Sequence, residues 1–91
     1  MRVKAAIEKK LGERLSPRRL SVVDESHLHA GHAHAPEGGE SHFRVEVVSA
    51  AFAGLSRVAR QRLVYDLLAE EMKGRVHALA LRTLTPEEDR T

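Results

Sequence analysis

Apolar residues along the chain switch between a helical and a strand period. Val3, Ala6, Ile7 and Leu11 recur at i, i+3, i+4 and i+8, with Lys4, Lys9 and Lys10 on other faces. This predicts an amphipathic helix over about residues 2–12, ended by Gly12. Ser16 and Pro17 make a turn, because proline lacks an amide proton and disfavours a helical residue before it. Leu20, Val22 and Val23 form a short β-rich run closed by Asp24, Glu25 and Ser26. Further on, Phe43, Val45 and Val47 alternate with His42, Arg44 and Glu46, the period of a half-buried strand. The two strands pair most simply as an antiparallel hairpin.

Gly54 then marks a turn, and Ser56 is placed to cap a helix running to about Lys73, with Val64, Leu67, Leu68 and Met72 as its core stripe and Gly74 as its stop. Val76 to Leu84 reads as a last strand, both of whose faces are apolar enough to be covered. A strand–helix–strand passage implies a crossover and a parallel pair. The predicted fold class is therefore α/β, in the order α-β-β-α-β, with a three-stranded mixed sheet and helices packed on it. Thr85 and Pro86 begin a short C-terminal helical turn, and residues 85–91 are a partly frayed tail. Residues 1–91 form one domain.

Composition narrows the function. At 91 residues with 42% hydrophobic content the chain supports a single core, and its zero cysteines exclude disulfides, a thiol nucleophile, a redox CxxC pair and any iron–sulfur cluster held by its own thiolates. Fifteen Lys and Arg against thirteen Asp and Glu leave +2, so nucleic acid can be bound only through a local patch. The opening MRVKAAIEKKLGERL lacks the apolar run of a signal peptide or membrane helix, which predicts a cytoplasmic protein with no membrane partner. No GxSxG, Walker or GXXG motif is present, and the chain is expected not to be an enzyme.

The candidate chemistry lies in DESHLHAGHAHAPEGGESHF, residues 24–43, where His27, His29, His32, His34 and His42 make up five of the six histidines. A hairpin connection of about fourteen residues far exceeds the usual two to five, and loops of that length are mostly functional or disordered. Its HxH and HxxH spacings suit a borderline metal, while the segment also reads as a solvated loop. His77, alone among apolar neighbours, reads from its pattern as a hydrogen-bonded structural residue. Arg57, Arg60 and Arg62 oppose the helix dipole where they stand, so they serve either as a solvated basic face or as an anion contact.

The segments VVDESH, GGESHFRVEVVSAAFAGL, RQRLVYDLLAEEM and VHALALRTLTPEE, together, in order and over nearly the whole chain, resemble the BolA family. The resemblance implies a class II KH-like fold. It also implies a monothiol glutaredoxin as partner and a shared [2Fe–2S] cluster, sulfur coming from the glutaredoxin cysteine and a glutathione thiol and imidazole from this chain. The family ligand in VHAL falls on His77, and the loop ligand, three residues after the DES serine, on His29, with His32 as its alternate. His42 is expected to be structural, bonding across the hairpin. BolA-like proteins are also described as DNA-binding regulators, which makes DNA the alternative partner, contacted through Arg57, Arg60 and Arg62. Here the family's usual RHR reads Arg60, Gln61, Arg62, which keeps both cations and loses the titratable donor. A loop that binds zinc, copper or nickel without a partner is the third reading.

Overall fold

The computed structural model describes residues 2–25, 41–74 and 76–89. Helix α1 (Val3–Leu15) leads into strand β1 (Arg19–Asp24), and strand β2 (His42–Val48) is followed by a 3-10 turn over Ala50–Phe52. Helices α2 (Arg57–Leu67) and α3 (Ala69–Lys73) then lead to strand β3 (Ala78–Leu84). The sheet order is β1-β2-β3. β1 runs antiparallel to β2, with Val22 opposite Val45, and β3 runs parallel to it, with Leu81 opposite Val45. The mixed three-stranded sheet is the one that the patterning predicts.

Gly12 does not end the first helix. The stripe Ile7, Leu11, Leu15 continues at i+4 spacing and all three residues are buried. Burying Leu15 outweighs the roughly 1 kcal/mol that glycine costs in a helix interior. The helix stops instead at Ser16, in the left-handed region at φ 43°, and the buried Ser49 hydroxyl donates to the Leu15 carbonyl at 2.6 Å. A methyl group at Gly12 would meet nothing within 4 Å. Gly12→Ala should therefore raise stability by about 0.5–1 kcal/mol in chemical denaturation, since it removes only the backbone-entropy penalty.

Ser56 caps α2 as expected, its hydroxyl accepting from the Ala59 amide at 3.1 Å, and Gly54 turns the chain at φ 80°. The single helix predicted to Lys73 is divided at Leu68, whose φ and ψ are −103° and 19°. The interruption is confined to that residue: its amide still reaches the Val64 carbonyl at 3.0 Å, and the side chain stays buried.

Among the described residues, one face of the sheet is covered and the other exposed. Phe43, Val45 and Val47 join Ile7, Leu11, Phe52, Val64 and Leu68 in the core, while Arg19, Val23, Arg44, Ala78, Ala80 and Arg82 lie exposed. The expectation that both faces of the last strand are covered is thus corrected. Strand geometry begins at Ala78, so the alternation does not extend back through Val76 and His77. Val76 is buried and His77 exposed, and on β3 the half-buried Leu79 and Leu81 alternate with the exposed alanines.

Candidate functional site

The chain leaves β1 at Glu25 and re-enters β2 through Ser41, and both stations stand at one end of the sheet. The Glu25 amide donates to the His42 carbonyl at 2.7 Å, and the Ser41 carbonyl accepts from the amides of His77, at 2.7 Å, and Ala78, at 3.2 Å. The parallel register of β2 and β3 therefore sets His77 beside the residue at which the histidine-rich segment returns. Its imidazole is exposed. Arg44 and Glu25 form an ion pair at 3.0 Å beside this end.

His27, His29, His32 and His34 lie outside the described residues. Among the described residues no three His, Cys, Asp or Glu side chains are grouped as a metal site. Two imidazoles do meet there. The rings of His42 and His77 lie edge to face, with centroids 6.1 Å apart and planes at 64°. His42 bonds across the hairpin through its backbone carbonyl, as expected, but its ring turns toward His77. Periodicity places His42 on a strand and says nothing of a residue so distant in the chain.

The arginine set divides. Arg57 and Arg62 are exposed. Arg60 is buried, its guanidinium carbon 5.9 Å from the centroid of the Phe52 ring. Its Nε donates to the Leu55 carbonyl at 3.0 Å, and Nη1 to the Thr83 carbonyl at 3.3 Å and to Glu88 Oε1 at 2.6 Å. Arg60 therefore ties α2 to β3 and to the C-terminal turn, and its guanidinium is turned inward. Gln61 and Tyr65 extend the same row, donating to the carbonyls of Leu81, at 3.3 Å, and Leu79, at 3.1 Å. Three α2 side chains thus occupy alternate carbonyls on the outer edge of β3, as protected edge strands require. Gln61 works here as an edge cap.

The residues beyond β3 are latched by charge. Glu88 and Thr85 exchange hydrogen bonds in a capping box, the Thr85 amide donating at 2.8 Å and the Glu88 amide at 3.2 Å. Asp89 accepts from Arg19 at 2.6 Å. The Arg60 guanidinium, helped by the Thr85 amide, holds the Glu88 carboxyl down at about 2, and Arg19 lowers Asp89 in the same direction. With folded values below the unfolded ones of about 4, this stabilisation is complete above about pH 5 and is lost as the pH falls toward 2. The melting temperature should drop over that interval, and Glu88→Gln should flatten the drop; an unchanged slope in the variant would rule the latch out.

A family profile described as BolA-like protein matches residues 11–88. A Vibrio cholerae serotype O1 protein named DNA-binding transcriptional regulator BolA is 48% identical over 86 residues, covering 94% of this chain and 77% of the relative. Human BolA-like protein 1 is 55% identical over 84 residues; the match takes in 92% of this chain and 58% of the human protein. The solved structure of BolA1 from Arabidopsis thaliana superposes with a TM-score of 0.89 at 39% identity, covering 99% of this chain and 98% of that one.

Proposed function

The chain belongs to the BolA family, and from that membership we propose that it is a non-enzymatic partner of a monothiol glutaredoxin, co-ligating a [2Fe–2S] cluster in iron–sulfur trafficking or iron regulation. The observation that carries this reading is the exposed His77 imidazole, bound through its backbone to Ser41, where the histidine-rich segment rejoins the sheet. The donor set fits. Neutral imidazole can replace thiolate on iron, and a chain with zero cysteines leaves the sulfur positions to a partner. His77 would hold the cluster together with His29, His32 being the alternate, and the glutaredoxin cysteine and glutathione would complete the site. When bound, such a cluster supplies one-electron chemistry and transferable iron and sulfide. Among the described residues no helix is long and apolar enough to cross a membrane, consistent with a diffusing partner.

The test is an anaerobic mixture of this chain with a monothiol glutaredoxin, glutathione, iron and sulfide. Addition of the chain should alter the visible absorption and circular dichroism of the glutaredoxin cluster, and a spectrum indifferent to the chain would reject the reading.

DNA binding is the second reading, favoured by the name of the Vibrio cholerae relative and by the exposed Arg57 and Arg62. It would use those two side chains on phosphate, with affinity falling as salt rises. Arg60 drops out of the contact set, because its guanidinium is buried against Phe52 and paired with Glu88.

A further inference from the structure

We propose that Ser41 and His42 position the His77 imidazole, a role that rests on reading His77 as an iron ligand. Ser41 is fully buried although polar. Buried polar groups persist where their hydrogen bonds are made, and this residue directs two of its polar groups at one task. Its carbonyl binds the amides of His77 and Ala78, fixing the backbone that carries the imidazole. Its hydroxyl lies 2.8 Å from His42 Nδ1 and fixes the ring against which that imidazole rests.

The His42 backbone is held independently by the Glu25 amide. Its ring therefore stands on a braced main chain with one nitrogen engaged, and presents itself to His77 at 6.1 Å and 64°, an edge-to-face arrangement that aromatic quadrupoles favour. An exposed imidazole with no such neighbour would spread over its staggered rotamers. Against His42 one side of the ring is closed off, and the orientation is selected before any metal or partner arrives. Residues behind a metal ligand commonly act this way, and their loss weakens a site roughly 10–100-fold while leaving every ligand in place.

The test has two arms. In the metal-free 15N-labelled chain at one fixed pH, the χ1 couplings of His77 should move toward rotamer-averaged values in Ser41→Ala and in His42→Ala. The double variant should move no further than His42→Ala, because Ser41 acts on the ring through His42. Val23→Ala, an exposed change on the same sheet face, should leave the His77 signals alone. Dispersed amide spectra confirm folding. Should His42→Ala fail to fold, His42→Asn, which keeps an amide within reach of Ser41 and deletes the ring, takes its place. His77 signals unchanged in a folded ring-deleted variant would overturn the proposal.

In the second arm, cluster loss from the glutaredoxin mixture should be roughly 10-fold faster for Ser41→Ala and His42→Ala than for the unmodified chain. Equal rates would overturn the positioning role. A mixture in which even the unmodified chain leaves the cluster spectrum unaltered would reject the ligand reading itself, and the metal-free arm would still decide whether Ser41 and His42 orient His77.

Discussion

Arg60→Ala lowers the melting temperature by roughly 10–20 °C, the largest stability effect expected of any charged residue among those described. Removing the side chain strips the carbonyls of Leu55 and Thr83 of their donor, uncovers the Phe52 ring and leaves Glu88 without its cation. Stranding two carbonyls and uncovering a buried ring costs about 2–3 kcal/mol, Glu88 itself being half exposed and able to rehydrate, and a domain of this size shifts by about 4–8 °C for each kcal/mol. Arg62→Ala removes an exposed cation from the same helix and should stay within about 0.5 kcal/mol of the parent. Differential scanning calorimetry separates the two, and similar melting for both variants would contradict the buried anchor. The consequence for function is direct: a loss of DNA retardation in Arg60→Ala reports unfolding, whereas the pair Arg57→Ala and Arg62→Ala reports phosphate contact.

His77→Ala abolishes the spectral change that the chain imposes on a glutaredoxin cluster. The side chain is exposed and lies outside β3, so its loss should leave the melting temperature nearly unmoved, and the missing signal could not be attributed to unfolding. Alanine at His29 should give a comparable loss if the loop supplies one ligand, and a partial loss if His32 can replace it. Arg57→Ala and Arg62→Ala should have no effect on the spectrum. A full spectral change retained by His77→Ala would remove His77 from the ligand set and leave the DNA reading as the stronger of the two.

Local rules carried most of the architecture and failed where burial competed with them. The i, i+4 stripe of Ile7 and Leu11 located α1, but the same stripe, continued to Leu15, overrode the stop signal of Gly12. Alternation located β2 correctly because Phe43, Val45 and Val47 all enter one core. On β3 it misled at Val76 and His77, since those residues precede the ladder: the Val76 amide bonds the Glu71 carbonyl and the His77 amide the Ser41 carbonyl. The three arginines of α2 look equivalent in composition, yet helical period separates two of them: Arg60 stands four residues before Val64 on the buried stripe and Arg62 stands off it. What the sequence does not show is the partner of the buried cation, Glu88, brought to Arg60 by the turn after β3.

What the sequence determined by itself is the set of elements, their order, the mixed sheet and the chemistry available: imidazole in abundance, no thiol, little net charge and nothing resembling a catalytic motif. These follow from side-chain period and composition, which act over a few residues or over the whole chain. Only the tertiary structure decided which groups meet. It joined Arg60 to Glu88, gave Gln61 and Tyr65 to the edge of β3, and set His42 against His77. Such pairings depend on strand register and crossover geometry, and these are settled when the core closes, through contacts between residues far apart in the chain.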